Sequence, residues 1–125
     1  MSGVGNPLAG RGRLSYLEIP ALDARQSAHF YAQVVGWQID QRASDDFRFS
    51  DADGLLIGRW IRGRVAAREP GLLPFLYVDA MERAIDRVTT NGGEVVEGAR
   101  PEGNLLVARV RDPAGNLMGL WQFAP

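Results

Sequence analysis

Residue types that carry much of enzyme chemistry are absent or scarce in this 125-residue chain. There is no cysteine, which excludes a disulfide framework, a thiol nucleophile and a thiolate metal site. Lysine is also absent, since all 14 basic residues are arginines, so no Schiff base can form on a lysine amine. Histidine occurs once, at His29, and any histidine cluster or Ser-His-Asp arrangement would have to pass through it. No apolar run approaches the roughly 18 residues that span a bilayer, and no charged-then-apolar signal opens the chain. We therefore expect a cytoplasmic protein with no membrane partner. A formal net charge of −1 gives no pull toward nucleic acid.

What remains is ordinary globular material, 46% hydrophobic and 23% charged, with the length of one domain. Residues 1–13 hold four glycines and a proline without periodicity and read as a flexible lead-in. A single domain is expected over 14–125. LSYLEIP alternates as a strand, and Asp23 opens a helix whose Phe30, Tyr31 and Val34 fall on one face before Gly36 ends it. Three short strands follow, near 37–42, 47–51 and 55–62. A connecting loop, RGRVAAREPG, leads to a fifth strand at 72–78. A helix from Asp79 then presents Met81, Ala84, Ile85 and Val88, and NGG stops it ahead of three more strands.

The two halves repeat. Adding 61 to Arg48, Asp51, Gly54, Leu56, Gly58 and Trp60 gives Arg109, Asp112, Gly115, Leu117, Gly119 and Trp121. The pattern RxxDxxGxLxGxW is therefore written twice. Module 1 spans about 14–62, the linker 63–71 and module 2 about 72–123.

Two βαβββ units, with IPALDARQSAHFYAQVVGW near the start and DPAGNLMGLWQ near the end, resemble the glyoxalase, bleomycin-resistance and extradiol-dioxygenase superfamily, also called vicinal oxygen chelate proteins. The resemblance implies an α+β fold in which two βαβββ modules form curved mixed sheets around a cavity with helices outside, and it implies a homodimer. In the superfamily's metalloenzymes a histidine and an acid on the first and last strands of each unit hold a divalent ion. Carried to this chain, those places are Tyr16, Gly58, Leu73 (or Leu72) and Gly119, which offer no adequate ligand set. The expectation is a member without metal or other cofactor.

If positions 58 and 119 face the cavity as the resemblance implies, alternation adds Leu56, Trp60, Leu117 and Trp121, and on neighbouring strands Tyr16, Glu18, Leu73, Phe75 and Tyr77. Aromatic walls with few polar groups suit a small organic, aromatic ligand, and the glycines beside the tryptophans would leave room for a ring. The same aromatics fit a packed core equally well. Glu18 is the candidate general acid or base, with Tyr16 polarising a substrate oxygen, in a metal-free lyase, isomerase or cyclase. Alternatively, Glu18 forms an ion pair with Arg48 or Arg109, or those arginines clamp a ligand carboxylate. Three functions stand: small-molecule binding, metal-free catalysis and a non-catalytic interaction module.

Overall fold

The computed structural model describes residues 6–125. The elements are β1 (Tyr16–Pro20), α1 (Ala24–Val35), β2 (Gln38–Ala43), β3 (Asp46–Ser50) and β4 (Ile57–Ile61), then β5 (Phe75–Tyr77), α2 (Met81–Thr90), β6 (Glu94–Glu102), β7 (Leu105–Arg111) and β8 (Leu117–Phe123). Two four-stranded sheets result, ordered β1-β4-β3-β2 and β5-β8-β7-β6. In each, the first strand runs parallel to the last and the other pairs are antiparallel. This is the expected α+β architecture of two βαβββ units, with curved sheets that do not close into a barrel. Part of the lead-in, residues 1–5, lies outside the described residues. Pro7–Ala9, expected to be shapeless, make a 3-10 turn in which the Asn6 side chain accepts the Leu8 N–H at 3.0 Å.

Local chemistry sets the helix ends. The Asp23 carboxylate accepts the Gln26 N–H at 3.2 Å, and Gly36, at φ 76°, closes α1 in the left-handed conformation. The second helix does not start on an aspartate. Its cap position is Ala80, which has no side-chain acceptor, and Gln122 of β8 accepts the Met81 N–H instead at 2.7 Å.

Each sheet has one face covered by the helices. Ile19, Phe47, Phe49 and Trp60 of the first sheet join Val110, Met118 and Leu120 of the second in one core around Phe30, Tyr31, Met81 and Val88. Burying each large apolar side chain of this kind contributes about 1.5–3 kcal/mol. Tyr31 stacks on Trp37 (4.8 Å, 11°) and Trp37 on Phe49 (4.1 Å, 8°), with Trp60 tilted against all three.

The halves are joined by a buried polar network. Asp112, 3% exposed, accepts the Ala114 and Asn116 backbone N–H groups on one oxygen and the Tyr31 hydroxyl (2.7 Å) and Asn116 side-chain amide (2.8 Å) on the other. Asn116 also donates to the Pro20 carbonyl at 2.7 Å and accepts the Ala67 N–H at 2.8 Å. DPAGN of module 2 thus binds α1, β1 and the linker. Burial raises the Asp112 carboxyl above its ordinary value, against the hydrogen bonds that pull it down.

The internal repeat holds as far as the turns and then slips by one residue. Gly54 and Gly115 both adopt positive φ, and each donates its N–H to the aspartate three residues earlier. Module 1 then closes its turn with Asp51 N–H on the Leu56 carbonyl, module 2 with Asp112 N–H on the Asn116 carbonyl. The first turn is one residue longer. Hence Arg48 pairs with Arg59 where Arg109 pairs with Gly119, and Ser50 pairs with Ile57 where Arg111 pairs with Leu117. A slip of one residue exchanges the two faces of a strand.

Candidate functional site

The faces of the sheets away from the helices carry the candidate site, and they differ in chemistry. On the second sheet, strand parity puts Phe75, Tyr77, Leu117, Gly119 and Trp121 on the open face, with Val107 and Arg109 beside them on β7. Tyr77 and Phe123 each meet Trp121 edge-on, at 5.0 and 5.1 Å. These rings are not core: Tyr77 is 51% exposed and Phe123 58%. A groove of about 280 Å³ runs over this surface, lined by Phe75, Leu105, Val107, Trp121 and Glu102. Leu73 precedes β5 and is half-buried. Phe123 and Val107 belong to this surface but were not expected from the sequence. Extending the alternation of β8 by one step past Trp121 reaches Phe123.

On the first sheet the slipped register overturns three expectations. Gly58 and Trp60 face the helices, Trp60 only 4% exposed within the Tyr31–Trp37–Phe49 cluster, and Leu56 packs against the same core. Ile57, Arg59 and Ile61 take the open face instead, beside Tyr16 and Glu18 of β1. Trp60 and Trp121 therefore stand on opposite kinds of face.

The glycines are also explained differently. A Cβ on Gly58 would come 1.9 Å from the Leu17 carbonyl and 2.5 Å from the Phe49 ring. One on Gly119 would fall 2.3 Å from the Phe75 ring. Both spaces are filled by phenylalanine rings of the protein itself.

The charged candidates are paired. Glu18 accepts from Arg64 of the linker at 2.9 Å, so its partner is neither Arg48 nor Arg109. Arg48 forks onto Asp46 at 3.1 and 3.3 Å. Arg109 lies 3.3 Å from Glu97. The hydrogen bond from Arg48 holds Asp46 below the ordinary carboxylate value, with the charges of Arg42 and Arg59 adding to it. His29 is exposed on α1.

The open faces do not fit a divalent ion. The register that puts Gly119 beside Phe75 puts Arg59 beside Glu18, so a cation stands where an acid would be required. Among the described residues no three of His, Cys, Asp or Glu cluster as ligands.

The two βαβββ units define the class of fold, and sequence comparison places the chain within it. The model of the glyoxalase-like domain family matches residues 17–121, and the protein belongs to that family. No curated protein sequence matches the chain. Among solved structures it is similar to a glyoxalase/bleomycin resistance protein/dioxygenase family enzyme from Burkholderia phytofirmans PsJN, with a TM-score of 0.71 and 17% identity over 88% of this chain and 98% of that one. It is similar to the fosfomycin resistance protein FosX from Mesorhizobium loti, with a TM-score of 0.71 and 17% identity over 89% and 92% of the two chains. It is likewise similar to TnmS3, an antibiotic binding protein from Streptomyces sp. CB03234, with a TM-score of 0.66 and 21% identity over 90% and 97%. At these identities the likeness establishes the fold. No helix among the described residues is long and apolar enough to cross a membrane.

Proposed function

We propose that this protein binds a small aromatic molecule, without metal or other cofactor, on the open face of the β5-β8-β7-β6 sheet. The observation that carries this reading is the cluster of exposed Phe75, Tyr77 and Phe123 around the half-buried Trp121, with Phe75 and Trp121 lining an apolar groove. Exposed rings that touch one another edge-on offer a stacking surface whose contact area is not already spent on the core. The resemblance of the fold to an antibiotic binding protein supports a sequestering role. Arg109 lies two residues beyond Val107 on the same face of β7, ion-paired to Glu97 at 3.3 Å, and would orient a polar group of a ligand that reaches it.

The reading includes a homodimer, as the family resemblance implies, in the cytoplasm. It does not include proton transfer by Glu18. Its carboxylate is engaged by Arg64, and Tyr16 two residues earlier is half exposed. The test is calorimetric titration of wild type and Trp121→Ala with a panel of fused-ring aromatic compounds. Saturable binding that is lost in the variant supports the reading, and binding unaffected by the variant contradicts it.

A further inference from the structure

The open face of the first sheet is as charged as that of the second is aromatic. Asp40 binds Arg42 at 2.9 Å, Asp46 binds Arg48 at 3.1 Å and Glu18 binds Arg64 at 2.9 Å. Three carboxylates thus satisfy three arginines. A fourth arginine stands among them. Arg59 is directly opposite Glu18 on β1 and directly opposite Arg48 on β3. Among the described residues no carboxylate lies within 4.0 Å of Arg59, and its Nε is buried with no hydrogen-bond partner.

That placement is unfavourable as it stands. Like charges directly opposite on neighbouring strands repel, and a dry, unpartnered guanidinium N–H loses its solvation without compensation. Glu18 would relieve both if it turned to Arg59, yet the linker arginine holds it. An anion between Arg48 and Arg59 would neutralise the repulsion, and a turn of the Arg59 side chain toward it would bring the buried Nε its missing partner. A groove of about 280 Å³, lined in part by Tyr16, the Asp40–Arg42 pair, Arg48, Ser50 and Ile57, opens beside Arg48. Ile57 lies two residues before Arg59 on the same face of β4. Tyr16 supplies a neutral hydroxyl donor for one of the anion's remaining oxygens, while the Ser50 hydroxyl is already given to the Asp51 carbonyl at 2.8 Å.

We propose that this face is an oxyanion-binding site centred on Arg59, with Arg48 alongside, for a small carboxylate or phosphate ester. The planar guanidinium fork matches either group in two-point geometry. The site stands independently of the aromatic face and makes no use of Trp121.

The full-length protein, Arg59→Gln, Arg59→Lys and Arg83→Gln, an exposed arginine on α2, are titrated at low ionic strength with acetate, benzoate, inorganic phosphate and phenyl phosphate. Circular dichroism confirms that each variant is folded. The wild type binds saturably with one anion per chain. Arg59→Gln weakens binding roughly tenfold or more, Arg59→Lys weakens it less, and Arg83→Gln leaves it unchanged. Preference for acetate and benzoate identifies a carboxylate, and preference for the two phosphates identifies a phosphate ester. Acetate and inorganic phosphate carry no ring, so their binding holds this proposal even if neutral aromatic compounds fail to bind. No saturable binding of any of the four anions overturns it, and so does equal weakening by Arg59→Gln and Arg83→Gln.

Discussion

The Tyr31 hydroxyl of α1 donates a 2.7 Å hydrogen bond to Asp112, 81 residues away, and the carboxylate that receives it is buried with no cation paired to it among the described residues. Four donors hold that carboxylate in place of a counter-ion. Removing one donor from a buried acceptor costs about 1–3 kcal/mol. Tyr31→Phe keeps the stack on Trp37 and is expected to lower stability to urea by that amount. Asp112→Ala strands all four donors and should cost more, as seen in the midpoint of denaturant unfolding.

The same carboxylate sets a pH dependence of definite sign. Its folded-state pKa is raised above the ordinary 3.8. Between that ordinary value and the raised one, the folded protein keeps a proton that the unfolded chain has released. Its contribution to stability therefore falls as pH rises through the window and is restored below it. Tyr31→Phe removes a hydrogen bond that lowers this pKa, so the window extends to higher pH. Asp46, lowered by its bond from Arg48, acts with the opposite sign at more acid pH. Unfolding measured against pH in wild type, Tyr31→Phe and Asp112→Asn isolates the effect. Identical profiles in all three would contradict it.

The two strand glycines should respond differently to alanine. At Gly58 the added methyl meets the Leu17 backbone carbonyl, which cannot swing aside, and the cost is about 3 kcal/mol or more. At Gly119 it meets only the ring of Phe75, which is 40% exposed and free to turn outward. Stability there changes by less than about 1 kcal/mol. The Gly119→Ala ring displacement should instead weaken aromatic ligands. Equal destabilisation by the two substitutions in thermal melts would argue against this placement of the rings.

The tryptophans should separate in the same way. Trp60→Ala empties the aromatic core and is expected to cost about 3–5 kcal/mol while leaving ligand contacts in place. Trp121→Ala should do the reverse, with a small change in melting temperature and lost binding.

Much of the fold was legible in the chain itself. Period-two and period-three-to-four alternation located every strand and both helices, and the repeated RxxDxxGxLxGxW exposed the duplication. The slip between the copies was not legible. Leu55 lengthens the first turn without disturbing the letters around it, and LLIGRWI has large apolar residues on both faces, with Arg59 the one charge that marks the open side. The consequence was specific: Gly58 and Trp60 belong to the core, and Arg59 is the residue on the open face. Module 2 carried no such ambiguity at Phe75, Tyr77 and Trp121, whose placement follows from parallel pairing with β5. The role of Asp112 was hidden for another reason. Among the described residues the carboxylate of its copy Asp51 accepts only the Leu55 N–H and stays partly exposed, and only the folded chain brings Tyr31 and Pro20 to DPAGN.

Trp37 and Trp60 are buried in the core while Trp121 borders the groove, so intrinsic fluorescence distinguishes the proposed site directly. The decisive measurement is a titration of wild type and Trp121→Phe with small fused-ring aromatic compounds, followed by tryptophan emission. Binding on the β5-β8-β7-β6 face predicts a saturable change in the wild type that disappears in the variant while its circular dichroism is preserved. A change of the same size in Trp121→Phe, or none in the wild type across the panel, would contradict it.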